Sequence, residues 1–200
     1  MPQPSLQFWY EFASTYSYLS VCRIEQVAAN AGIDVEWKPF LLGPIVKEFG
    51  WNDSVFNLYP IKGRYMWRDL ERLCEQYGIP YQKPTAFPRN GLYAARIATI
   101  AAEEGWCPAF TKAVFQSNFA DDEDISAPPV LSGILESIGE DTSSVMEQAQ
   151  TQENKDRLRK HTELASSLGI FGAPCFIANG ELFWGNDRLE QAVDWLKEKG

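Results

Sequence analysis

Strand-forming sequence is confined to the two ends of this 200-residue chain, with helical periodicity between them, and few folds accommodate that arrangement. "SLQFWYEF" (5–12) is short and aromatic and is broken at Ser14, which predicts a buried strand. "YSYLSVCRIEQVAANAG" then places Tyr18, Leu19, Cys22, Ile24, Val27 and Ala28 at helical spacing and stops at Gly32, a C-terminal cap. "IDVEWKPF" (33–40) alternates Ile33, Val35 and Trp37 inward with Asp34, Glu36 and Lys38 outward, a second strand. Strand, helix and strand in so short a span form a right-handed βαβ unit with parallel strands.

From Leu41 to about Gly169 the periodicity is helical, in segments 63–78, 91–105, 107–120, 128–139 and 142–169, separated by turns such as "GIPYQKPTAFPRNG". At the far end "CFIA" and "ELFW" flank Asn179-Gly180, the strongest short hairpin signal. Asn186 or Asp187 is expected to cap a closing amphipathic helix with Leu189, Ala192, Val193 and Leu196 on one face. This order predicts an α/β, thioredoxin-like fold with an inserted all-helical domain. Residues 1–40 and 170–200 form the first part and 41–169 the insertion, the helix around 155–169 being assignable to either.

Composition narrows the partners. Hydrophobic residues make up 45% of the chain and aromatics 14%, ample for a packed core, whereas a net charge of -9 without a Lys/Arg cluster argues against nucleic acid. No run approaches the roughly 18 to 20 apolar residues of a membrane span, and no basic-then-apolar leader opens the sequence, so a cytoplasmic location is expected. Cys22, Cys74, Cys107 and Cys175 are scattered, which supports neither a redox dithiol nor a metal site.

Chemistry is expected where the first helix begins. Its open N–H groups and dipole favour an anion, and thiol oxidoreductases of this fold carry two cysteines at the positions that Ser14 and Ser17 occupy. The chain therefore retains an anion site without a thiol of its own, and glutathione is the obvious donor. A hydroxyl donating to a thiolate contributes about 1.5 to 3 kcal/mol and the helix terminus roughly 0.3 to 1 more. Together they lower a thiol pKa near 8.5 by roughly 1.5 to 3 units. A serine hydrolase is disfavoured, because the only histidine, His161, lies in a charged helical run and no G-x-S-x-G elbow exists. "FGAPCF" puts Pro174 where thioredoxin folds carry a cis-proline, and the Ala173 peptide could pair with a bound peptide backbone. In "WGNDRL", Asp187 could meet the ammonium of a γ-glutamyl group while N–H groups at the helix start receive its carboxylate. Each feature has a plain structural reading too, as a helix cap or a turn.

"FWYEFASTYSYLS", "PIKGRYMWRDLERLCEQYGIP", "FPRNGLYAAR" and "FGAPCFIANGELFWGNDRLE" together resemble 2-hydroxychromene-2-carboxylate isomerases, members of the DsbA-like superfamily close to kappa-class glutathione transferases. The resemblance runs nearly end to end. It implies a glutathione-dependent enzyme of aromatic-compound catabolism, commonly a homodimer. By this resemblance Ser14 holds the glutathione sulfur, Ala173 and cis-Pro174 clamp its cysteinyl part, and Asn186, Asp187 and Arg188 meet its γ-glutamyl part. It adds Lys62 and Tyr65 from a "KG-x-Y" stretch, and Asn52, with Asp53 and Asn57 as rivals. Thr15 stands where many relatives have proline, and Cys175 after the cis-proline is either redox-sensitive or merely buried.

The expected reaction is reversible addition of the thiolate to an unsaturated carbon of a small aromatic substrate, bond rotation and elimination. Trp37, Trp51, Trp67, Phe87 and Tyr93 are candidates for an aromatic pocket, with Arg89 or Arg64 for a substrate carboxylate. The alternatives are a kappa-like glutathione transferase and a non-catalytic thiol- or peptide-binding module.

Overall fold

A computed structural model describes residues 4–199. β1 (Ser5–Tyr10) and β2 (Asp34–Pro39) pair in parallel across α1 (Thr15–Ala31), from Ser5 opposite Asp34 to Tyr10 opposite Pro39. β3 (Cys175–Ala178) lies antiparallel against the other edge of β1, and β4 (Glu181–Trp184) completes the order β2-β1-β3-β4. Asn179 and Gly180, at φ 49° and 81°, supply the paired left-handed conformations of a tight hairpin turn. A 3-10 turn at Asn186–Arg188 leads into α10 (Leu189–Lys199).

Between β2 and β3 run α2 (Leu42–Glu48), α3 (Val55–Leu58), α4 (Pro60–Tyr77), α5 (Leu92–Glu104), α6 (Cys107–Phe119), α7 (Pro128–Ile138), α8 (Thr142–Gln148) and α9 (Gln152–Ser167). The architecture is a thioredoxin-like fold with a helical insertion. No helix among the described residues is long and apolar enough to cross a membrane.

Several boundaries differ from the sequence expectation for local reasons. β1 ends at Tyr10 because Glu11 to Ser14 form a turn closed by the Ser14 N–H on the Glu11 carbonyl at 3.0 Å. α2 and α3 were not expected, since Pro44 and helices of only seven and four residues leave little helical periodicity to see. The helix expected over 142–169 is two, because the Thr151 side chain accepts from the Asn154 N–H and starts α9 anew. Cys22, placed on the apolar face of α1 by its spacing, is exposed.

One aromatic chain joins the sheet to the insertion. Phe8 stacks on Phe176 at 5.5 Å and on Tyr10 at 5.1 Å, Tyr10 meets Phe12 edge-on at 5.5 Å, and Phe12 reaches Phe115 of α6 at 5.2 Å. The Tyr10 hydroxyl is 2.8 Å from Thr111 Oγ1. Asn118 of α6 donates Nδ2 to the Phe12 carbonyl at 3.0 Å, so the turn before α1 is held from the helical side. Arg89 in turn donates to the Asn118 carbonyl and Oδ1, at 3.0 and 3.1 Å, and pairs with Asp122. On the other sheet face Trp9, Phe40, Ile45, Ala165, Ile170, Cys175 and Ile177 form a second core, which places α9 against the sheet.

Ser17 is fully buried, and its Oγ has no hydrogen-bond partner among the described residues. An unmet buried hydroxyl costs about 1 to 3 kcal/mol, so Ser17→Ala is expected to raise stability by about 1 kcal/mol in urea unfolding; a loss would show that the hydroxyl is bonded. Phe8→Ala should cost about 3 to 5 kcal/mol by the same measurement. Ile61→Ala, at a side chain 75% exposed, should change stability by about 0.5 kcal/mol or less.

Candidate active site at the start of α1

Ser14 is the N-cap of α1, at φ -79° and ψ 116°, and its Oγ accepts the Ser17 N–H at 3.1 Å while its carbonyl accepts the Tyr18 N–H at 3.2 Å. The hydroxyl donates its one proton to the Ala173 carbonyl at 2.9 Å. To donate to a bound anion, Ser14 must give up Ala173. The N–H groups of Thr15 and Tyr16 have no acceptor among the described residues, the ordinary condition of a helix start. They stand at the positive end of the helix dipole, where negative charge is favoured.

The Ala173-Pro174 bond is cis. The Ala173 N–H has no acceptor among the described residues. β4 holds this loop in place: the Gly185 N–H donates to the Pro174 carbonyl at 3.0 Å, and the Trp184 indole lies over Gly172, where a Cβ would come within 2.4 Å of Nε1. Cys175 donates Sγ–H to the Gly172 carbonyl at 3.2 Å, and burial pushes its thiol up to about 12, so it remains a protonated core residue.

The other candidates sort by distance from this turn. Tyr16 donates to Asp69 Oδ2 at 3.0 Å, and burial first, then Asp69, Tyr65 and Asp187, raise its phenol. Tyr65 and Asp187 thus flank the first turn of α1. Asp187 is exposed and 3.4 Å from Arg188. Asn186 does not cap the closing helix; it is buried, with Oδ1 accepting from Ser20 Oγ and Arg23 Nη1, both at 3.1 Å, and so fastens the 3-10 turn to α1. The expected Asp187 cap is absent as well, since no side chain caps that turn. Lys62 is exposed, its Nζ 5.1 Å from the Tyr59 ring centre. Asn52 lies exposed before α3, while its rivals Asp53 and Asn57 bond each other at 3.2 Å. Among the described residues no hydrogen bond or ion pair joins Asn52, Lys62 or Arg188 to Ser14.

The residues expected to line a pocket divide: Trp67 and Phe87 meet edge-on at 4.8 Å, while three others are engaged elsewhere. Trp37 packs on Phe8 at 5.3 Å and Tyr10 at 5.8 Å as core, Tyr93 donates to the Met146 carbonyl at 3.2 Å, and Arg89 is buried in its contacts with Asn118 and Asp122. A cavity of about 460 Å³ lies between α2, α5 and α9, with Leu41 and Leu92 in its apolar wall and both cations (Arg96, Lys155) and acids (Glu48, Glu163) in its lining. Leu41 and Leu92 directly follow Phe40 and Gly91, which touch the β1–α1 connection: the Phe40 N–H bonds the Tyr10 carbonyl at 3.2 Å, and a Cβ on Gly91 would lie 2.8 Å from Phe12 Cβ and 3.4 Å from Glu11 Oε1. Glu11, within the segment expected to be strand, lies in the turn before α1. Burial raises its carboxyl to about 7 against the lowering effect of the Ala13 N–H. The available signal was an acid set between an aromatic strand and an N-cap serine.

The chain has relatives over nearly its whole length. A 2-hydroxychromene-2-carboxylate isomerase of Sphingobium xenophagum is 28% identical over 96% of this chain and 97% of its own length. Glutathione S-transferase kappa 1 of Homo sapiens is 27% identical over 98% of this chain and 92% of its own. The solved structure of a selenomethionine 2-hydroxychromene-2-carboxylate isomerase superposes with a TM-score of 0.88 at 22% identity, covering 98% of this chain and 95% of that one. The family model described as the DSBA-like thioredoxin domain matches residues 5–197, so the chain belongs to the DSBA-like thioredoxin family, among relatives named as 2-hydroxychromene-2-carboxylate isomerases and kappa glutathione transferases.

Proposed function

We propose that the chain is a glutathione-dependent isomerase acting on 2-hydroxychromene-2-carboxylate-like aromatic compounds. The observation that carries the proposal is the conjunction at the first turn of α1: a serine hydroxyl where a thiol would stand, two open backbone N–H groups, and the cis peptide of Ala173 and Pro174 beside them. These groups fit glutathione. The Thr15 and Tyr16 N–H groups suit its sulfur as an anion, the Ala173 N–H suits its cysteinyl backbone, and Asp187 suits its γ-glutamyl ammonium. The names of the relatives support the same reading.

When bound, glutathione would supply a thiolate that adds to an unsaturated carbon and leaves after the former double bond has rotated. The protein's part is to hold the sulfur ionised, with Ser14 moving its proton from the Ala173 carbonyl toward that charge, and to hold the aromatic partner. The cavity by Leu41 and Leu92 offers an apolar wall for a ring, with Arg96 and Lys155 for a carboxylate, a role Arg89 cannot take. A homodimer in the cytoplasm belongs to the proposal. A kappa-like transferase is the second reading, favoured by the 27% identity to a protein of that name.

Incubation with glutathione and 2-hydroxychromene-2-carboxylate is expected to give rearranged product with the glutathione total unchanged. Loss of glutathione into a stable adduct selects the transferase, and no reaction with either outcome sinks both readings. Ser14→Ala should lower glutathione-dependent turnover by about 10- to 100-fold, the value of a hydrogen bond to a charged group, with about 1 kcal/mol of cap stability lost in parallel. Asp187→Asn should weaken glutathione affinity only about two- to fivefold, because an ion pair at so exposed a carboxylate contributes about 1 kcal/mol or less; unchanged affinity removes Asp187 from the site.

A further inference from the structure

We infer that the cavity between α2, α5 and α9 binds a monocarboxylate with an apolar body while no glutathione is present, and that Arg96 is the residue that selects the carboxylate. The inference deepens the part given to this cavity in the proposed function and rests on that reading for its place in catalysis, but the binding itself needs no thiol. The cavity volume of about 460 Å³ falls within the roughly 300 to 1,000 Å³ of small-molecule sites. Each of the three helices turns one face to it. Leu41 and Ile45 at the start of α2 are four residues apart, as are Leu92 and Arg96 of α5, and Lys155, Leu158 and Thr162 of α9 follow at intervals of three and four. Thr162 leaves no polar group open in this wall, because its Oγ1 accepts the Leu41 N–H and donates to the Leu158 carbonyl, both at 3.1 Å.

Arg96 stands apart from the other arginines. Each of the others among the described residues pairs with a carboxylate or, like Arg64, is exposed. Arg96 is half-buried without an acid partner among those residues, and the bond its side chain makes runs from Nη1 to Gln150 Oε1 at 3.1 Å. Nε and Nη2 are left without an acceptor among the described residues, a planar fork that matches the two oxygens of a carboxylate. The buried Asn154 donates Nδ2 to the Arg96 carbonyl at 2.9 Å, so the backbone that carries the fork is fixed before a ligand arrives. The acids of the lining compete little. Glu163 is 3.6 Å from Arg159, which also lies 3.0 Å from Asp156, and Glu48 is exposed at the end of α2, where water screens it. Lys155, half-buried and without an ion pair among the described residues, adds attraction as a point charge. The aliphatic wall supplies affinity through burial, and the arginine supplies the choice of charge.

The test is calorimetric titration of the full chain, without glutathione, with 2-naphthoate and with its neutral isostere 2-naphthamide at about pH 7, where the acid is ionised. Wild type is expected to bind the naphthoate at least about tenfold more tightly than the amide. Arg96→Gln should weaken naphthoate binding by about 10- to 100-fold, the range of a hydrogen bond to a charged group, and abolish the preference over the amide. Arg96→Lys should fall between the two, because the charge remains and the fork is lost. Lys155→Gln should cost only about two- to fivefold. Urea unfolding shows whether Arg96→Gln is folded; if it is not, the comparison of the two compounds on wild type decides. Equal affinity of wild type for the two compounds, an unchanged naphthoate affinity in folded Arg96→Gln, or no naphthoate binding overturns the inference and leaves the thiolate reading at α1 intact. Naphthoate binding with the expected losses upholds the inference even where glutathione and the chromene substrate give no product, a result that overturns the isomerase reading alone.

Discussion

The Ser14 hydroxyl bond to the Ala173 carbonyl joins residues 159 positions apart in the chain and brings the two halves of the candidate site together. On one side is the start of α1, on the other the cis-prolyl loop, and neither alone presents more than a helix terminus or a bend. The same hydroxyl accepts the Ser17 N–H as cap, so one oxygen ends a strand-to-helix turn, starts a helix and orients a peptide. A cysteine at this position would ionise on its own behalf. Serine keeps its proton, so on the proposed reading the positive end of the helix is left for a charge that arrives from outside.

The insertion holds this turn in place. Asn118 grips the Phe12 carbonyl, Arg89 grips Asn118, and Gly91 lets α5 come flush against Glu11 and Phe12. Arg89 therefore serves the geometry of the site from a buried position, where the sequence suggested direct contact with a substrate. From the opposite side Asn186 ties the 3-10 turn to Ser20 and Arg23, which sets Asp187 near the Tyr16 hydroxyl. The turn before α1 is thus supported by side chains from both the insertion and the last quarter of the chain.

The parts of the fold that were readable in the sequence are those with local causes. The Gly32 terminus, the Asn179-Gly180 hairpin, the alternation in β2 and the N-cap at Ser14 all follow from residue chemistry over a few positions. The unread parts depend on contacts distant in sequence. Asn186 looks like a cap until Ser20 and Arg23 are found facing it, and Arg89 looks exposed until Asn118 and Asp122 surround it. Glu11 carries no motif at all; its altered proton affinity arises from burial that only the closed fold supplies. The break at Thr151 had a local signal, a cap threonine, hidden inside a run whose polar residues suit helix as well as turn.

The account turns on a helix start that keeps a borrowed sulfur ionised, and the most direct measurement is the ultraviolet absorbance of the thiolate across a pH titration of glutathione saturated with wild-type protein. The account predicts ionisation roughly 1.5 to 3 pH units below that of the free tripeptide. A bound thiol that titrates where the free one does would contradict it.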